Sequence, residues 1–264
     1  MLRRFARCLA LVCLAWACVG DLGAEPASTA IIALHGKWGK PPGPLAADLQ
    51  AAGYHVMSPA MAWGRDRFYD VDYPSALLEI RDSVAQLRAQ GFAHVVLAGH
   101  SLGANAALAY ATSHGDVDAL MIYAPGHVPE WQFRNGDTAT TLQKARALVQ
   151  GGQGDARDFE ITDFNSGNRR RQLVVSAAVY LSYYEPEGLA NMAVSAKRVS
   201  KATPVFYAGT TQDGITRWGN GAQYVFNHLP PHPQSVYLES RASHLDVPQD
   251  TAAQSLEFLK SLWP

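Results

Sequence analysis

The sequence predicts an α/β protein, a mostly parallel sheet of about six strands flanked by helices and carrying a helical lid insertion. Three observations predict it: strand-like apolar runs alternate with helical patterns, the polar residues suited to chemistry follow strand-like runs, and one long stretch breaks the alternation. The chain has 264 residues, 48% hydrophobic, with a formal net charge of −1. It is long enough for one large domain and too evenly charged to suggest a nucleic-acid partner.

Residues 1–24 stand apart. Arg3, Arg4 and Arg7 precede an apolar stretch at 8–19, and small residues follow, which is the layout of a secretory signal peptide. Cleavage after Gly20 or Ala24 would fit, giving a periplasmic or secreted protein whose domain is 25–264. The apolar stretch is short for a bilayer span, and Ala15 and Trp16 fit a lipoprotein signal poorly, so an anchored form is disfavoured. All three cysteines, Cys8, Cys13 and Cys18, lie in this segment, so the mature chain is expected to have neither thiol nor disulfide.

Candidate strands fall near Ile31, Val56, Val95, Leu120, Val205 and Val236. Between them, 45–52 reads as a helix stopped at Gly53. Residues 74–90 read as another, with Leu77, Ile80, Val84 and Leu87 along one face and a stop at Gly91. An Ala-rich helix is expected at 104–111. The stretch from about 126 to 202 breaks the pattern and is the expected lid. Its centre, 151–171, reads as loop because it is rich in glycine and charge, and 173–184 and 188–199 read as helices. It carries Trp131, Phe133, Tyr180, Tyr183 and Tyr184, and an insertion of this size usually covers or shapes a site.

Between the third strand and the Ala-rich helix stands Gly99-His100-Ser101-Leu102-Gly103. A serine at a sharp strand-to-helix turn has its hydroxyl thrust clear of the sheet, and the glycines on either side allow the tight backbone. Asp213 and His244 each lie on a loop just after a strand-like run, and in a parallel sheet those strand ends share one edge with Ser101. Ser101 is therefore expected as nucleophile, His244 as general base and acid, and Asp213 as the residue that orients the imidazole. His100 is beside the nucleophile and expected to point elsewhere. His35, at the end of the first strand, suits a structural hydrogen bond better than proton transfer. His228 and His232 have metal-pair spacing on a helix, which Pro230, Pro231 and Pro233 forbid, so no metal site is expected. Arg169, Arg170 and Arg171 read as a solvated face. Trp38, Trp63, Phe68, Tyr69 and Tyr73 follow the first two strands and suit either a pocket lining or the core.

With the order serine, aspartate, histidine and the early run His35-Gly36-Lys37-Trp38-Gly39 after the first strand, the chain resembles the α/β-hydrolase superfamily, and more loosely its small bacterial esterase-like members. The resemblance implies that fold without its two leading strands. It also implies an oxyanion hole made by the backbone amides of Lys37 and Leu102, with Trp38 the lesser candidate. Since the donors would be amides, trimming the Lys37 side chain is expected to be mild. The implied activity is a serine hydrolase cleaving carboxylic esters through an acyl-enzyme, with a small-molecule substrate, no cofactor and no stable membrane partner. Thioesterase, amidase, peptidase and acyltransferase chemistry share the same triad, and a non-catalytic binding protein on the same fold is the rival of another class. The sequence does not specify an oligomeric state.

Overall fold

A computed structural model describes residues 26–213 and 221–263, so the expected signal segment lies outside the described residues. Along the chain the strands are β1 (Thr29–Leu34), β2 (His55–Met57), β3 (His94–His100), β4 (Ala119–Tyr123), β5 (Phe159–Asn165), β6 (Arg169–Val175), β7 (Val205–Thr210) and β8 (Val236–Ser240). Six of them form one sheet in the order β2-β1-β3-β4-β7-β8, and every pairing in it is parallel. All six sheet strands fall where the sequence places them.

Both faces of the sheet are covered, so β1, β4 and β7 are buried at every position and read as unbroken apolar runs. Alternate side chains serve opposite layers. Ile32, Leu34, Leu97 and Ile122 pack with α2 (Tyr73–Ala89) and α3 (Leu102–Ser113). Ile31, Val96, Met121 and Phe206 pack with α1 (Pro44–Ala51) and with the C-terminal helix that includes Phe258 and Leu259. The amphipathic period of α2 buries Leu77, Ile80, Val84 and Leu87, as the sequence indicates. Its start is fixed by Asp72, whose carboxylate accepts the Ser75 N–H at 2.7 Å. Helix α3 is buried on nearly all sides, which is why its small alanines suit it.

From β1 the chain steps to β2 on one side and then to β3 on the other, so a crevice opens at the C-terminal ends of β1 and β3. The loop after β1 and the turn after β3 face each other across it. Their approach is close. A Cβ on Gly103 would stand 2.4 Å from the Leu34 carbonyl oxygen, and one on Gly99 would stand 2.2 Å from the Gly103 oxygen.

Between β4 and β7 lie α4 (Pro129–Arg134), α5 (Ala139–Gln150), α6 (Ala177–Tyr184) and α7 (Met192–Ala196). The segment is not helical throughout, because 151–171, read from sequence as loop, includes most of an antiparallel hairpin of β5 and β6. Its turn is built on Gly167 and Asn168, at φ 71° and 57°, the positive values that short hairpin turns demand. Helix α6 starts later than the reading of 173–184, since residues up to Val175 belong to β6 and the Ser176 hydroxyl caps the helix. Helix α7 is shorter than 188–199 because the Asn191 side chain caps it, accepting from Ala193 and Val194. Helices α8 (Val247–Asp250) and α9 (Ala252–Leu262) close the chain. Among the described residues no helix is long and apolar enough to cross a membrane.

Candidate active site

Ser101 sits at the β3–α3 junction with φ 57° and ψ −122°, a conformation that non-glycine residues rarely adopt. Its N–H donates to the Tyr123 carbonyl at 3.0 Å, and the first turn of α3 folds back on its own carbonyl. The strained turn is thus held by the sheet on one side and the helix on the other. His244 and Asp213 come to the same edge from the loops after β8 and β7. The His244 Nδ1–H donates to Asp213 Oδ2, and both side chains are almost wholly buried. An ionised carboxylate can only accept, so this bond fixes the imidazole tautomer and leaves Nε2 as the basic nitrogen. The two loops are stitched together: Thr210 Oγ1 donates to the Ala242 carbonyl at 2.6 Å, and the Thr211 N–H donates to the Ser240 carbonyl at 3.3 Å.

Ser101 lies where two cavities meet. One, of about 230 Å³, is lined by Ser101, His244, Leu45, Pro44, Leu245 and Pro248 among others. The second, of about 210 Å³, is lined by Ser101, Leu102, Val128, Trp131, Gln132 and Arg170 among others. Lys37 and the hairpin turn at 165–169 border both.

The loop after β1 lies against Ser101, for a Cβ on Gly36 would come within 2.9 Å of Ser101 Cβ. His35 holds this loop. Its Nδ1–H donates to the Gly36 carbonyl at 2.9 Å and its Nε2 accepts the Met61 N–H at 3.2 Å, while the Trp63 indole donates to the His35 carbonyl at 2.7 Å. Burial lowers the His35 pKa, with the Gly36 bond opposing, so it stays neutral. Of the amides considered for an oxyanion hole, that of Trp38 is already bonded to the Trp63 carbonyl at 2.9 Å. The Lys37 and Leu102 amides make no backbone hydrogen bond among the described residues.

The Lys37 side chain does not behave as the sequence suggests. Its ammonium is buried and donates to Asp163 Oδ1 at 2.7 Å and to the Phe164 carbonyl at 2.9 Å, with Tyr184 Oη and His127 Nδ1 each at 3.3 Å. Truncating it would strand a fully buried carboxylate, so the effect is expected to be larger than the mild one the sequence suggests. Burial pushes the Asp163 carboxyl up, but the Lys37 charge and the bonds from Lys37, Tyr184 and Trp38 outweigh it and hold the group below its ordinary range. Asp163 and Asn165 are the residues that sequence reading missed. The Ser-Gly-Asn turn and the alternation of Phe159, Ile161 and Asp163 were the available signals, and an acid at an inward position disguised the strand.

Other expectations resolve simply. The His100 Nε2–H donates to the His244 carbonyl at 2.8 Å, which engages the ring with the loop after β8. Trp63, Tyr69 and Tyr73 are core, as are Tyr180, Tyr183 and Tyr184, whereas Trp131 lines the second of the two cavities at Ser101. Arg169, Arg170 and Arg171 lie on the exposed strand β6, and Arg169 and Arg171 cover the Trp38 ring at 5.9 and 5.2 Å.

Two neutral histidines make stability sensitive to acid. Burial, and then the nearby Lys37 charge, lower the His127 pKa to about 3; burial and the neighbouring His244 lower that of His100 to about 4. On acidification the unfolded chain takes up protons near pH 6.5 while the native state does not, so stability falls as pH drops below 6.5. His127 alone is expected to cost about 2 kcal/mol between pH 6.5 and 5. Urea unfolding across that range checks this, and a midpoint that stays level or rises on acidification would contradict it.

A parallel six-stranded sheet with a strained serine at a strand–helix junction and an aspartate–histidine pair on neighbouring strand-end loops defines an α/β-type hydrolase architecture. The family model described as "Alpha/beta hydrolase family" matches residues 31–257, and the chain belongs to that family. No curated protein matches the sequence. Similar solved structures include a highly thermostable carboxyl esterase from Bacillus coagulans in complex with glycerol, 14% identical, covering 89% of this chain and 90% of that one, with a TM-score of 0.65. A monoacylglycerol lipase of Paleococcus ferrophilus is 17% identical, covering 88% and 94%, with a TM-score of 0.61. A structure from the metagenome-derived lipolytic enzymes LipS and LipT is 15% identical, covering 89% and 94%, also at 0.61. At these identities the likeness is one of fold.

Proposed function

We propose that the protein is a serine hydrolase that cleaves carboxylic esters through an acyl-enzyme. The observation that carries this reading is the His244–Asp213 pair set beside a strained Ser101 at the mouth of one cavity. Ser101 Oγ attacks the ester carbonyl carbon as His244 Nε2 takes its proton, and Asp213 stabilises the imidazolium. The oxygen that gains charge is held by the Lys37 and Leu102 amides. Collapse breaks the bond to the alcohol oxygen, which receives the proton from His244. Water then attacks the acyl-enzyme with His244 again as base, releasing the acid and restoring Ser101. That the similar structures include a carboxyl esterase, a monoacylglycerol lipase and a lipolytic enzyme supports an ester as substrate over other acyl donors. On the form of residues 1–24, the enzyme acts in the periplasm or outside the cell.

The test is labelling with a fluorophosphonate, which reacts with an activated serine, alongside turnover of p-nitrophenyl esters of rising acyl length. The expected result is stoichiometric labelling at Ser101 and hydrolysis at rates that depend on chain length. A folded protein that neither labels nor hydrolyses any ester would be a binding protein on this fold.

A further inference from the structure

The buried ion pair between Lys37 and Asp163 calls for an explanation, because it does not follow from stability. Two desolvated charges usually contribute no more than a packed apolar pair of similar volume. Here they join parts of the molecule that the sequence separates widely: the loop after β1 and the hairpin.

Asp163 has no exposed surface, and its two oxygens accept from four side chains. Oδ1 takes Lys37 Nζ at 2.7 Å and the Tyr184 hydroxyl; Oδ2 takes the Trp38 indole N–H at 2.7 Å and the Tyr69 hydroxyl at 2.9 Å. That fills the acceptor capacity of a carboxylate. Two of these donors are successive residues of the loop that lies against Ser101. The hairpin grips the main chain as well, since Asn165 Nδ2 donates to the Lys37 carbonyl at 3.1 Å. Trp38 is held at φ 58°, a strained value that persists only where its surroundings over-determine it, and the Asp163 bond to its indole supplies part of that constraint. On its other side the loop abuts Ser101 with no space for a Cβ at residue 36.

We propose that Asp163 is a positioning residue of the hydrolase: through the Lys37 and Trp38 side chains, it places the Lys37 amide where an oxyanion forms at Ser101. The proposal rests on the serine-hydrolase reading above. Asp163 touches no reacting atom; it acts on a donor whose worth depends on position to a fraction of an ångström, and loss of one such donor costs roughly 100- to 1,000-fold in kcat.

The experiment compares the wild type with Asp163→Asn, the double variant Lys37→Met/Asp163→Leu, and Asn165→Ala, whose change lies at the hairpin turn and leaves the ion pair in place. Thermal melting is read beside kcat and KM for p-nitrophenyl butyrate. A trifluoromethyl ketone is also measured, whose serine adduct carries the oxyanion. Asp163→Asn is expected to lower kcat by about 100-fold with KM within about threefold, and to weaken the ketone by the same factor as kcat/KM. The apolar double variant should recover thermal stability and leave kcat low. Asn165→Ala should melt like the wild type and lose about tenfold in kcat. A double variant that regains both stability and kcat, or a folded Asp163→Asn and Asn165→Ala with wild-type kcat, would reduce Asp163 to a structural residue and overturn the proposal. A wild type that neither labels nor turns over ester would overturn the hydrolase reading and this proposal with it.

Discussion

Replacing Ser101 with alanine is expected to lower ester turnover by at least about three orders of magnitude in a protein that still folds. The side chain lost is small, and the backbone strain at φ 57° is carried by the Tyr123 and α3 hydrogen bonds, which an alanine keeps. His244→Ala should cost a similar factor, because a nucleophile and its base fail as one unit. Asp213→Asn should cost the same or somewhat less: the amide can offer its N–H to His244 Nδ1, which puts the imidazole proton on Nε2, where it cannot serve as base. The check is steady-state hydrolysis of a p-nitrophenyl ester, with circular dichroism to confirm folding. If Ser101→Ala kept even a tenth of wild-type activity, another residue would have to be the nucleophile.

The second large effect is expected at Gly103. An alanine there brings Cβ to 2.4 Å from the Leu34 carbonyl oxygen and 2.8 Å from that of His35, both backbone atoms of a central strand and its loop. Neither can swing aside as a side chain end could, so β1 and α3 must part. Overpacking of this kind is expected to cost about 3 kcal/mol or more. Gly43→Ala is the matched control, since its Cβ would meet only His35 Cβ at 4.0 Å. Urea unfolding of the two variants measures the contrast. Equal midpoints would mean that the helix can shift over the sheet without loss, and would overturn the close-packing account of Gly103.

What was legible in the sequence is what local pattern encodes. The sheet strands are nearly continuous apolar runs because both faces are covered, and α2 shows its period because only one face is. The serine turn announces itself through Gly99 and Gly103, whose need for close approach is a property of five consecutive residues. Asp213 and His244, which the structure pairs, are each legible by position, at the end of a recognisable strand. The hairpin was not found. Its strand β6 begins with three arginines that cover the Trp38 and Phe164 rings, a use of charge that resembles a solvated loop in sequence. Asp163 could not be recognised at all, because its meaning lies in donors from Lys37, Trp38, Tyr69 and Tyr184, which only the tertiary structure assembles.

The same carboxylate bears on how the hairpin finds its register. Side chains of a strand alternate in direction, so a one-residue slip of β5 would turn Asp163 outward and leave the Lys37 ammonium buried with no anion. The three pairs next to the turn give little discrimination of their own, since Asp163, Phe164 and Asn165 face Arg171, Arg170 and Arg169, three identical partners in a row. Beside the turn and the buried Phe159 and Ile161, part of the selection comes from outside, from a lysine 126 positions earlier in the chain. Long-range contacts of that kind are closed only after the intervening chain has been ordered. The contact that fixes the hairpin against the rest of the molecule is thus expected to close late in folding, once the sheet has brought the loop after β1 into place.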